Sequence, residues 1–155
     1  MSQIEIIPAK TQAQFDQFRA LLREYADSPG GKLCCVDVAL ELKELPKLYK
    51  APLGGLWLAT VDGQIAGGIA MRPLRMILVE ITRLYVRPEF RNRGLGRLLI
   101  NAAITAAGRA RCHGAQLDTL PSMKESRRLF ERLGFQVLKP SLGENDPIRM
   151  ALRFH

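Results

Sequence analysis

Residues 80–100 read EITRLYVRPEFRNRGLGRLLI. The first half is rich in β-branched and aromatic residues and, with Ile77, Leu78 and Val79 before it, reads as a long strand that Pro88 stops. The second half becomes an apolar helix, and at its entrance stand Arg91, Asn92, Arg93, Gly94, Leu95, Gly96 and Arg97. Backbone N–H groups in the first turn of a helix have no intrahelical partners, and the helix dipole adds partial positive charge there. Glycines at 94 and 96 keep side chains away from those amides, while Arg91, Arg93 and Arg97 add full charges. Such an entrance favours an anion, with phosphate the natural candidate; the plainer alternative is a glycine-containing turn into a solvated basic helix. A dinucleotide fingerprint would need a third glycine where Leu99 stands, and a P-loop would need Gly-Lys-Ser/Thr, which is absent.

Outward from this stretch the pattern is mixed. Ile4 to Pro8 reads as a short strand, and Thr11 then caps a helix carried by Phe15, Phe18, Leu21, Leu22 and Tyr25, which DSPGGK ends. Asp37 is read as the cap of a second helix with Val38, Leu42 and Leu45 on one face, interrupted by Pro46. GGLWLATVDGQIAGGIAMRPL is a hairpin whose Asp62-Gly63 dipeptide supplies the positive φ values of a tight turn. Beyond the opening stretch, Leu99, Ala102, Ala103, Ala106, Ala107 and Ala110 give a helix with a narrow face of small residues, suited to close packing on a sheet and ended by Gly114. AQLDTL reads as a buried strand, Ser122 begins a turn into a helix to Leu133, and FQVLK and IRMALRF are two further strands around the loop PSLGENDP. The order predicts an α/β domain with a mixed sheet.

A chain of 155 residues, 47% of them apolar, is expected to form one domain over 1–155. Its net charge of +8 favours an anionic partner. No apolar run reaches the length of a membrane span, and the N-terminus lacks the features of a signal peptide, so a cytoplasmic protein starting at Met1 is expected. Cys34, Cys35 and Cys112 are odd in number and lack zinc-ligand spacing with His113 or His155, which predicts reduced thiols and no structural metal.

The ordered set EITRLYVRPEFRNRGLGRLLI, LDTLPSM, SRRLFERLGF and the upstream hairpin resembles the GNAT superfamily of N-acetyltransferases over residues 41–138, in particular a bacterial branch of small members. Its acetyl-CoA signature, Arg/Gln-x-x-Gly-x-Gly/Ala, here is Arg91-Asn92-Arg93-Gly94-Leu95-Gly96. The resemblance implies a mixed central sheet flanked by helices, with a splayed strand pair holding the coenzyme A arm. It implies that amides of the Arg91–Gly96 loop, with Arg97 in the following turn, grip the pyrophosphate. Leu84, Tyr85 and Val86 would pair with the pantetheine arm as an added strand would, and a backbone N–H there would stabilise the tetrahedral oxyanion.

Transfer to an amine needs an acceptor for the ammonium proton. Glu80 is the expected base, in a strand otherwise built of Ile77, Leu78, Val79 and Ile81; its alternative role is an ion pair with Arg72 or Arg83. The family pattern calls for tyrosine where this chain has Phe130. Either the thiolate then leaves unaided, or Tyr85, Ser122 or Ser126 reaches it. Ser126, in place of the family's usual alanine, is grouped with Phe130 at the cofactor; a surface serine is its plainer reading. The expected activity is acetyl transfer from acetyl-CoA to a primary amine of a small molecule or peptide by direct attack. The alternative is a non-catalytic acetyl-CoA or coenzyme A binding module of the same fold. A nucleic-acid partner ranks below both, and homodimerisation is common in the family. The acceptor would be set by residues 28–53 and 140–147.

Overall fold

The computed structural model describes residues 2–34 and 38–154. Seven strands form one sheet in the order β1-β2-β3-β4-β5-β7-β6: β1 Ile4–Pro8, β2 Gly55–Val61, β3 Gln64–Arg75, β4 Leu78–Val86, β5 Gly114–Thr119, β6 Gln136–Lys139 and β7 Ile148–Arg153. Every pairing is antiparallel except that of β4 with β5. The mixed α/β sheet expected from the sequence is present. Asp62 and Gly63 both have positive φ (50° and 83°), and they close the β2–β3 hairpin as the dipeptide predicts.

Helix α1 (Gln12–Asp27) starts in a capping box: Gln14 N donates to Thr11 Oγ1, and Thr11 N to Gln14 Oε1. Its buried residues Phe18, Leu21, Leu22 and Tyr25 cover one sheet face. Helix α5 (Leu95–Arg109) covers the other, burying Leu95, Leu99, Ile100, Ala103 and Ala107 beside Val79 and Ile81 of β4. Ala102, Ala106 and Ala110 flank that face and are only partly buried.

Three elements depart from the sequence reading. Residues 28–53 hold three short helices rather than one: α2 (Pro29–Cys34), α3 (Ala39–Lys43) and α4 (Leu45–Leu48). Pro46 lies in the first turn of α4, where its missing N–H costs no hydrogen bond, so the break falls at Glu44. The expected cap Asp37 and the thiol of Cys35 lie outside the described residues. Gly114 does not end α5; it opens β5, where a Cβ would stand 2.6 Å from Leu152 O. The helix stops instead at Ala110, and Arg111 turns the chain with φ 65°.

Strand β4 carries an irregularity that the alternation does not announce. Gly68 pairs with Tyr85 but Ala70 with Thr82, so one residue of β3 faces two of β4, Arg83 and Leu84. This is a β-bulge, with Arg83 at φ 59°. It re-phases the strand: Val79, Ile81, Leu84 and Val86 point to the α5 side, and Tyr85 to the α1 side.

Candidate active site

Strands β4 and β5 pair only through Leu78–Gly114, Val79–Ala115 and Glu80–Gln116. Both continue beyond that point, β4 to Val86 and β5 to Thr119, without pairing to each other. The sequence resemblance implied such a splayed pair. An open cleft of about 230 Å³ lies along the gap, walled by Glu80–Leu84 on one side and Leu117–Leu120 on the other. Helix α6 (Lys124–Arg132) contributes Ser126 and Phe130, and α1 contributes Tyr25.

At the C-terminal end of β4, a short 3-10 turn (Pro88–Phe90) leads to the entrance of α5. Asn92 and Gly94 both have positive φ (64° and 78°), which alternates the chain direction around Arg93. Alternation of left-handed with right-handed residues is a backbone pattern of anion-binding concavities. Gly94 is the N-cap, and no side chain caps the helix. Among the described residues nothing accepts a hydrogen bond from the amides of 92–97. Arg93 lies over the Phe90 ring at 5.6 Å, and Arg91 over Tyr85 at 5.9 Å, with Arg91 Nε donating to Val86 O (2.9 Å). Arg91, Arg93 and Arg97 are all exposed, and the Leu95 side chain is buried in the core. The two glycines do different work. A Cβ at Gly94 would meet only the tip of Arg97, so this position is glycine for its backbone conformation; one at Gly96 would stand 3.1 Å from Leu129 Cδ2 of α6.

Glu80 faces the cleft with its side chain 22% exposed. Arg72 Nε and Nη2 both approach Oε1 at 2.7 Å, the first of the two ion pairs considered from sequence. No described residue hydrogen-bonds Oε2. Arg83 is engaged elsewhere. Its guanidinium makes a two-pronged contact with Glu41 of α3 (Nε to Oε2 3.0 Å, Nη2 to Oε1 2.8 Å), and Tyr49 donates to the same carboxylate at 2.7 Å. Burial alone would raise the Glu41 carboxyl, but the hydrogen bonds from Arg83 and Tyr49 outweigh it and hold the group below its ordinary range. Burial and the same carboxylate push the Tyr49 phenol well above its ordinary value.

Of the hydroxyls weighed as thiolate partners, Ser126 lines the cleft. Tyr85 points toward α1, 3.5 Å from Glu24 Oε1 and beside the Tyr25 ring, and Ser122 is exposed in the β5–α6 turn. Phe130 is 5% exposed and packs against Phe135 as it closes the cleft. Sequence reasoning missed Tyr25, Thr82 and Thr119 as wall residues. Tyr25 reads as a core position of an amphipathic helix, and the threonines as ordinary strand residues.

The sequence model of the acetyltransferase (GNAT) family matches residues 16–135, the segment that contains the splayed pair, the amide-lined entrance and α6. The chain belongs to that family. An uncharacterized N-acetyltransferase of Schizosaccharomyces pombe is 32% identical over 141 residues, covering 90% of this chain and 86% of that protein. This GNAT enzyme also shares its fold with the N-acetyltransferase PaiA of Thermoplasma acidophilum, solved in complex with coenzyme A (TM-score 0.77, 17% identity, 98% and 99% of the two chains). A second fold relative, yncA of Salmonella typhimurium, was solved with its cofactor acetyl-CoA (TM-score 0.77, 21% identity, 99% and 95% of the two chains). Among the described residues, no helix of this N-acetyltransferase is long and apolar enough to cross a membrane.

Proposed function

We propose that the enzyme transfers the acetyl group of acetyl-CoA to a primary amine of a small molecule or peptide by direct attack in the β4–β5 cleft. The observation that carries this reading is the end of β4–β5 pairing at Glu80 and Gln116, which opens the sheet along the strand whose chain runs on to the unpaired amides of 92–97. A phosphate at those amides and an extended, amide-bearing arm along Leu84–Val86 satisfy both sets of groups at once. That acetyl-CoA and coenzyme A occupy two proteins of this fold agrees with the reading.

Acetyl-CoA, when bound, supplies the activated acyl carbon. The chain supplies position and proton handling. Backbone N–H groups of the open β4 edge meet the carbonyl oxygen as it takes negative charge. Glu80 accepts the amine's proton on Oε2, directly or through a water, while Arg72 holds Oε1 and fixes the carboxylate at the inner end of the slot. The ion pair therefore orients the base rather than replacing it.

The test is thiol release from acetyl-CoA across a panel of amines. Glu80→Gln should lower kcat by about 10²-fold or more while leaving the Kd for acetyl-CoA within about twofold. Undiminished turnover by Glu80→Gln removes the base assignment. Binding without turnover by the wild-type enzyme on any amine favours a binding module.

A further inference from the structure

The backbone of β4 changes phase at Arg83. Ile77 O accepts from His113 N at 2.8 Å, so by the alternation of a strand Val79 and Ile81 present their N–H and C=O groups toward β5. Beyond the bulge, Arg87 N donates to Ala66 O at 2.8 Å, which turns the groups of Arg87 and Tyr85 toward β3 and leaves those of Leu84 and Val86 on the open side. Val86 O accordingly accepts from Arg91 Nε of the helix entrance at 2.9 Å. Odd positions thus face the gap before Arg83 and even ones after it. In an unbulged strand the N–H groups of Leu84 and Val86 would bond to β3 instead.

The residue that makes this switch is ill suited to it. Arg83 has φ 59°, a left-handed conformation that residues with a β-carbon seldom adopt and keep only where their surroundings hold them in it. Here Glu41 of α3 takes the Arg83 guanidinium with both carboxylate oxygens, their side chains are 9% and 16% exposed, and Tyr49 donates to the same carboxylate. A pair this far from water resists separation, because either partner alone would be left with an uncompensated charge. Thr82, Arg83 and Leu84 all line the cleft, so a shift at the bulge is a shift of the cleft wall.

Resting on the acetyl-CoA reading above, we propose that Glu41 is a positioning residue for the transfer: it holds Arg83 in its left-handed turn and so keeps the backbone groups of Leu84 and Val86 facing the gap for the arm of the donor. Glu41 touches no reacting atom. Its effect passes through Arg83 and the peptide groups that follow it. Without the carboxylate, Arg83 relaxes toward an ordinary extended conformation, and the Leu84 and Val86 groups turn out of line with the arm. The nucleotide end of the donor, at the amides of 92–97, does not depend on this turn.

The test needs no acceptor amine. Acetyl-CoA and the nucleotide half of coenzyme A, which ends at the diphosphate and lacks the arm, are each titrated calorimetrically into wild type, Glu41→Gln and the double variant Glu41→Gln/Arg83→Gly. Glu41→Gln should weaken acetyl-CoA by about fivefold to tenfold, as expected for misaligned hydrogen bonds to the arm, and the nucleotide half by no more than about twofold. Glycine takes the left-handed conformation without help, so the double variant should regain most of the acetyl-CoA affinity. A merely structural role would move both ligands together and would not be rescued by glycine. Unchanged acetyl-CoA affinity in Glu41→Gln, equal loss for both ligands, or no recovery in the double variant overturns the proposal. If Glu41→Gln does not fold, Glu41→Asp, which draws the carboxylate back by one methylene, carries the same comparison. Failure of wild type to bind acetyl-CoA refutes the acetyl-CoA reading itself.

Discussion

Glu80 and Gln116 are the last residues that β4 and β5 hold in register, and the sheet opens immediately beyond them. The proposed base thus sits at the inner end of the gap, where the strands are still paired, with Arg72 bonded to one of its oxygens. Placement and pairing come from one sheet: Arg72 is the direct β3 neighbour of Glu80 in the register.

The bulge at Arg83 is held from outside the sheet. Glu41 closes on its guanidinium from the helical segment that precedes β2, and Tyr49 of the same segment donates to the Glu41 carboxylate. Glu41→Gln removes the carboxylate from a largely buried pair and should cost about 1–3 kcal/mol of stability at neutral pH, read by urea denaturation. The folded carboxyl gives up its proton more readily than the unfolded one. Its stabilisation is therefore fully present above the ordinary carboxyl value of 4.5 and is lost as pH falls through the lower folded value. The gap between wild type and Glu41→Gln should be constant from pH 6 to 8 and shrink steadily below about pH 4.5. A gap independent of pH down to 3 would remove the carboxylate from the account.

The exposed arginines at the helix entrance should act on ligand charge rather than on folding. Arg93→Ala and Arg97→Ala are each expected to weaken coenzyme A binding by about twofold to fivefold at low salt. The difference should fade toward 1 M salt, where screening is nearly complete. Isothermal titration at several ionic strengths measures it; equal losses at all salt concentrations would point to packing instead.

The two glycines of the entrance should separate cleanly. Gly96→Val presses a branched side chain against Leu129 and should lower ligand-free stability by about 1–3 kcal/mol through overpacking of α5 against α6. Thermal melts without ligand check this, and an unchanged melting temperature would show that the α5–α6 contact gives way.

The separate duties of these glycines mark how far the sequence could be read. The Asp62-Gly63 turn, the Thr11 cap and the helix start beside Gly94 are local, each set by residues within one turn of one another, and they read correctly from the chain alone. Gly96 looked like a twin of Gly94 because its neighbour Leu129 lies 33 residues away, 129 minus 96. The bulge left no mark on the pattern of β4, since Leu84 and Tyr85 each suit either face of a sheet; only the β3 register shows that Tyr85 turns toward α1. Gly114 was read as helix punctuation, but its smallness is required by a strand, β7, that arrives from the far end of the chain.

The central claim is that the β4–β5 gap and its amide-lined mouth hold the coenzyme A portion of the donor. Calorimetric titration of acetyl-CoA into the wild-type enzyme and Gly94→Glu tests it most directly. At φ 78° the substitution strains the backbone by about 1–2 kcal/mol, which a melt will register without loss of the fold, and it sets a carboxylate among the amides proposed to hold the phosphate. The account predicts saturable one-to-one binding by wild type and none measurable by the folded variant. Equal affinity of the two proteins, or no binding by wild type, would contradict it.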